Sequence, residues 1–133
     1  MYSVGSNIFT SWSPNGQFIA VGNKHDTLTV FDIISGRLMK KVKFGYEVNE
    51  HAWSANSDHL LVATGEGDKG SVDIIGFGGD ELRLIDSVAA HTSNCFSLKI
   101  DFSHRRMAVG GADYLMSLWD LDDMICHHTV PFE

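Results

Sequence analysis

A seven-residue strand pattern occurs three times in this chain at a fixed interval of 44 residues. Leu115-Met116-Ser117-Leu118-Trp119-Asp120-Leu121 has its counterparts in Ser71-Val72-Asp73-Ile74-Ile75-Gly76-Phe77 and in Thr27-Leu28-Thr29-Val30-Phe31-Asp32-Ile33. One slot holds Phe31, Ile75 and Trp119, the next Asp32, Gly76 and Asp120, and the third Ile33, Phe77 and Leu121. A period of this size belongs to architectures in which one supersecondary unit stacks on copies of itself, because a single unit cannot bury its apolar face alone.

The residues between the copies complete four strands per unit. In the first, Ile8 to Trp12 ends at Ser13-Pro14-Asn15-Gly16, where Pro and Gly stand in places a type I turn accepts. Phe18 to Gly22 is an apolar run long enough for a buried strand and too short for a helix, and Leu38 to Phe44 follows the turn at Ser35-Gly36. The second unit repeats the order with Val48–Trp53, Leu60–Thr64 and Leu82–Val88, with Gly65 to Gly70 read as a glycine-rich loop. The third uses Asn94–Phe102, Met107–Gly110 and Ile125–Val130. Trp12, Trp53 and Phe102 serve as the strand-ending landmarks of the three units. No window carries a helical i, i+3, i+4, i+7 stripe.

The expectation is an all-β chain of three four-stranded antiparallel blades, with units at 1–45, 46–90 and 91–133. A Trp-Asp dipeptide closing a strand at this period points to a β-propeller. Rings of this kind close with about 4–8 blades, so three units make a partial propeller, completed by further blades or by another chain.

Charge narrows the function. A formal net charge of -7 argues against this chain gripping a phosphate backbone, which needs a basic stripe. The one basic cluster, Lys40, Lys41 and Lys43, reads as an edge strand blunted by lysines rather than as an RNA contact. Cys95 and Cys126 are expected to be free, buried thiols in a reducing compartment. The segment Met1 to Asn7 lacks the basic and apolar regions of a signal peptide, and no run approaches 18 apolar residues, so a soluble intracellular protein without a membrane role is expected.

Candidate chemical groups all have plainer readings. His127-His128 beside Cys126 resembles a metal set, but neighbours on a strand point to opposite faces. Asp122-Asp123 reads as a solvated turn, and Gly65 to Gly70 precedes no helix that could bind phosphate. Ser103 with His104, and Cys95 with His91, lack an orienting acid for nucleophilic catalysis. No catalytic residue, cofactor, metal or small-molecule substrate is expected.

Ala90-His91, then Asp113 six residues before Trp119-Asp120, resembles a WD40 repeat. The resemblance implies a structural hydrogen-bonded network of His91, Asp113 and Trp119. The family's usual hydroxyl on the second strand falls at Val109, so a triad without a hydroxyl is expected. The Asp slot holds His25 in unit one and Lys69 in unit two. Partner-contact loops are expected at Lys24 and His25, at Asp68 and Lys69, and at Tyr114, since exposed aromatics suit interface cores.

Further segments are not demanded by the generic repeat: Asn15 to Lys24, Phe44 with Glu47-Val48-Asn49-Glu50, and His91-Thr92-Ser93-Asn94-Cys95. Together with Gly111-Ala112-Asp113 and Ser117 to Asp120 they resemble the WD40 propellers of the THO complex subunit 3 family. That resemblance implies a non-catalytic nuclear scaffold that binds other THO/TREX subunits in co-transcriptional mRNA packaging and export, and meets RNA only through the complex. The alternative is a peptide-reading WD40 adaptor, for example of histone tails, in another nuclear complex.

Overall fold

The structure, a computed structural model, describes residues 7–23, 25–43, 47–78 and 81–132. It is all β among these residues, and the expected partial propeller is the fold adopted. The first sheet contains β1 (Asn7–Trp12), β2 (Phe18–Asn23), β3 (Thr27–Asp32) and β4 (Leu38–Lys43). The second has β5 (Val48–Trp53), β6 (His59–Glu66), β7 (Lys69–Gly78) and β8 (Glu81–His91), and the third β9 (Cys95–Ile100), β10 (Arg106–Gly111), β11 (Leu115–Asp120) and β12 (Ile125–Pro131). Within each sheet the strands lie side by side in chain order and pair antiparallel. Short turns dictate this, since they can join only neighbouring antiparallel strands. β8 runs through His91, one residue past the expected boundary at 90.

The repeat columns correspond to rows across each sheet. Trp12 pairs with Ile19 and Ile19 with Phe31; Trp53 pairs with Leu60 and Leu60 with Ile75. In the third sheet the row is Ile100, Met107 and Trp119, so Ile100 and not Phe102 takes the landmark position. The reason is the turn. The Asp101 carboxylate accepts the backbone N–H groups of Arg105 and Arg106, both at 3.0 Å, which ends β9 early and leaves Phe102 96% exposed. Ser13 and Ser54 act in the same place in the first two sheets, their hydroxyls accepting the N–H groups of Phe18 and His59.

The core lies between sheets. Ala20, Leu28 and Val30 of the first sheet pack against Val48, Trp53, Leu60, Val62, Ile75 and Phe77 of the second, with Phe18 edge-on to Phe77 at 4.6 Å. Leu61, Ala63 and Val72 of the second sheet meet Cys95, Leu98, Met107, Val109 and Trp119 of the third. β6 therefore buries both its faces, Leu60 and Val62 on one side and Leu61 and Ala63 on the other. That is why its sequence is a continuous apolar run rather than an alternation. Full burial of each of these larger side chains contributes about 1.5–3 kcal/mol.

Two further expectations are corrected. Gly65 to Gly70 is not an extended loop: β6 and β7 stay in unbroken register to the Glu66–Lys69 pair, and only Gly67-Asp68 turns, with Gly67 at φ +61°. Cys126 is a free thiol but exposed, because β12 is the outermost strand of the third sheet and is exposed along its length; Cys95 is free and buried. No helix among the described residues is long and apolar enough to cross a membrane.

The β6–β7 hairpin is pressed against the segment leading into β9. A Cβ on Gly70 would lie 1.9 Å from the Ser93 carbonyl oxygen and 2.9 Å from Cys95 Sγ. Backbone oxygen cannot yield as a flexible side chain does, so Gly70→Ala must separate the second and third sheets locally. We expect a loss of about 1–3 kcal/mol, the range for overpacking, read as a lower urea midpoint with an unchanged slope.

Candidate functional site

Trp119, on β11, begins a chain of hydrogen bonds that crosses from the third sheet to the last strand of the second. Trp119 Nε1–H donates to Ser117 Oγ at 2.7 Å, Ser117 Oγ lies 2.8 Å from His91 Nε2, and His91 Nδ1 lies 3.0 Å from both Asp113 carboxylate oxygens. An indole only donates and a carboxylate only accepts, so a neutral His91 carries its proton on Nδ1 and accepts the Ser117 hydroxyl at Nε2. Asp113 also accepts the N–H groups of Thr92 and Leu115, each at 3.1 Å. These donors hold its carboxyl below the usual range although burial pushes it up. The network thus ties the β8–β9 connection to the β10–β11 turn.

His91, Asp113 and Trp119 are brought together, and the hydroxyl expected to be missing is present. Ser117 supplies it from the third strand rather than the second, standing opposite Val109 in the register, where its side chain takes the space between Trp119 and His91. Sequence reasoning passed over Ser117. The signal was the column Thr29, Asp73, Ser117, three polar residues two places before the apolar slot, all of them buried. In the second sheet Asp73 accepts the Ser87 hydroxyl at 2.6 Å, so the same position is polar and bonded by other means.

The expected contact loops occupy equivalent turns. His25 is exposed beside the β2–β3 turn, where Asn23 Oδ1 accepts three backbone N–H groups, those of residues 25, 26 and 27. Asp68 and Lys69 are exposed at the β6–β7 turn, and Tyr114 is 72% exposed at the β10–β11 turn with φ +64°. The second and third of these turns are linked through residues 93 and 94, since Ala112 N–H donates to the Asn94 carbonyl. Lys24 lies outside the described residues.

The inner strands β1, β5 and β9 form a second polar assembly. Asn49 Nδ2 donates to Asn94 Oδ1 and to the Cys95 carbonyl; Trp53 Nε1 donates to the Ser11 carbonyl at 3.1 Å. His51 Nδ1 lies 2.6 Å from Ser11 Oγ, its Nε2 has no hydrogen-bond partner, and its ring is edge-on to Phe9. Burial pushes the His51 imidazole down to about 4, the Phe9 backbone pulling weakly the other way. Glu50, also buried, pairs with Lys99 Nζ at 2.5 Å, though that oxygen makes no aligned hydrogen bond.

This arrangement is suited to holding blades in register, and the groups that resemble catalytic sets are not arranged as such. Burial first, with the Asp113 charge second, raises the Cys95 thiol to about 12, the opposite of an activated nucleophile. Ser103 donates to Asp101 at 2.6 Å as part of its turn. Asp120, Asp123 and His127 bring ligand-type atoms within 4.8 Å of one another on an exposed strand end; both aspartates also accept backbone N–H groups of their own turn.

Residues 82–120 match the family model described as WD domain, G-beta repeat. The chain is 40% identical over 125 residues to THO complex subunit 3 of Arabidopsis thaliana, covering 94% of this chain and 38% of that protein. It is 32% identical over 124 residues to WD repeat-containing protein AAC3 of Dictyostelium discoideum, covering 92% and 26%. The chain therefore spans well under half the length of these relatives. All of it superposes on 41% of U3-55K with a TM-score of 0.86 at 12% identity, a likeness of fold.

Ser117→Ala leaves the His91 and Trp119 ring nitrogens without their shared partner, and we expect a loss of about 1–3 kcal/mol, measured by urea unfolding. For His51, the folded pKa near 4 lies below the unfolded value of 6.5. Its stabilising contribution is therefore complete above pH 6.5 and is lost as pH falls from 6.5 toward 4. The total loss is about 3 kcal/mol; melting temperature against pH checks this, and His51→Gln flattens that part of the curve.

Proposed function

We propose that this chain, three blades of a WD40 propeller, is part of a non-catalytic scaffold of the THO type that works in the nucleus by holding other THO/TREX subunits during co-transcriptional packaging and export of mRNA. The reading is carried by one observation, 40% identity to THO complex subunit 3 across 94% of the chain. A generic blade needs only the apolar columns, so identity at that level over almost the whole chain supports a relationship closer than a shared fold.

The units of this scaffold are 1–45, 46–90 and 91–133. His91, Asp113 and Trp119 serve within it as structural residues, and the turns at His25, Asp68, Lys69 and Tyr114 as partner contacts. An overall net charge of -7 fits protein partners, with RNA met through the assembly.

Affinity purification of the tagged protein from nuclear extract tests the reading. We expect the other THO subunits among the recovered proteins at salt that removes loosely held contaminants. Recovery of an unrelated complex with none of them overturns it.

A further inference from the structure

At the junction of the three inner strands, a buried carboxylate, an aromatic ring and an exposed ammonium from three different sheets meet at one point. Glu50 of β5 is 5% exposed, and its Oε1 faces Lys99 Nζ of β9 at 2.5 Å. The same ammonium lies 5.9 Å from the centre of the Phe9 ring of β1. Around them runs a groove walled by Phe9, Trp12, Glu50, Lys99 and His104, in which Trp12 is 58% exposed.

Blade packing does not require this arrangement. Counting back from the landmark residues Trp12, Trp53 and Ile100, the position of Glu50 holds Phe9 in the first sheet and Ser97 in the third. The same slot works without charge in two blades. A buried carboxylate is costly unless a cation compensates it, and here the cation belongs to a side chain that is 75% exposed. A long flexible side chain loses rotamer freedom when held in one place. Oε1 also lacks a hydrogen bond of good alignment, so Lys99 neutralises the carboxylate without saturating it.

We propose that this junction is a docking point for one basic side chain of a peptide partner, and that Lys99 occupies it in the free protein as an internal substitute. Charge complementarity selects the occupant: a carboxylate at the floor and aromatic faces beside it suit an ammonium or guanidinium and repel an anion. An incoming side chain on an extended peptide displaces the Lys99 ammonium into solvent, where three-quarters of that side chain already lies. The inference does not depend on which complex the protein joins.

The test is fluorescence anisotropy of the full chain with labelled Gly/Ser peptides of equal length carrying one central Arg, Lys, trimethyl-lysine or Glu. We expect the cationic peptides to bind and the Glu peptide not to. Lys99→Ala, which removes the substitute, should tighten cationic binding at least fivefold, and Glu50→Gln should weaken it at least tenfold. Because Lys99→Ala also strands a buried charge, its melting temperature is followed in parallel. It should fall relative to the parent and be restored by saturating Arg peptide more than the parent is raised. Phe9→Leu, which keeps the apolar volume and loses the ring, should weaken the trimethyl-lysine peptide most. Unchanged or weaker cationic binding by Lys99→Ala, equal binding of the Glu peptide, or no binding by either protein overturns the proposal.

Discussion

A four-stranded sheet has two faces, and among the described residues the second sheet has buried apolar residues on both, each face covered by a neighbouring sheet. Everything else depends on that packing. Leu60, Val62 and Ile75 are sealed by the first sheet, and Leu61, Ala63 and Val72 by the third. The apolar core residues of each outer sheet, Ala20, Leu28 and Val30 in the first and Cys95, Leu98, Met107, Val109 and Trp119 in the third, cluster with residues of the middle one. The close approach of the Gly70 backbone to Ser93 belongs to the same constraint, because only a residue without a side chain lets two sheets come so near.

Polar groups caught between sheets must then be bonded, and the molecule solves this differently at each junction. Between the second and third sheets a chain of hydrogen bonds runs from Trp119 through Ser117 and His91 to Asp113. Between the first and second, Ser11 serves twice, its hydroxyl to His51 and its carbonyl to Trp53. The position occupied by Ser117 is Thr29 in one blade and Asp73 in another, so the repeat keeps buried polarity there while changing the chemistry that satisfies it. Such networks fix register more than they add stability. A sheet slipped by one residue would leave several groups unpaired at once.

The same economy separates structural from available groups. His91, Asp113, Ser117 and Trp119 are saturated by one another, which leaves little for a ligand to take. The groups with spare capacity lie elsewhere, at the exposed turns carrying His25, Lys69 and Tyr114 and at the inner-strand junction of Glu50 and Lys99. The proposed scaffold role needs this division, since residues that hold blades together cannot also be free to exchange partners.

Period and apolar columns determined the strand order and the three four-stranded units, because these follow from the two-residue strand period and from turns that join only neighbours; the network of His91, Asp113 and Trp119 was implied by the resemblance to a WD40 repeat. Three things were decided by tertiary structure. Ser117 rather than the second strand supplies the hydroxyl: alternation puts it on the face of Trp119, but only the tertiary structure brings His91 Nε2 within 2.8 Å of it. Phe102 lies outside the sheet because Asp101 captures backbone N–H groups that a hydropathy pattern does not display. Phe9, Glu50 and Lys99 read in sequence as ordinary strand residues, and met at one junction only when three inner strands, each 41 or 47 residues from the next at its landmark, were packed side by side by the burial of their sheets.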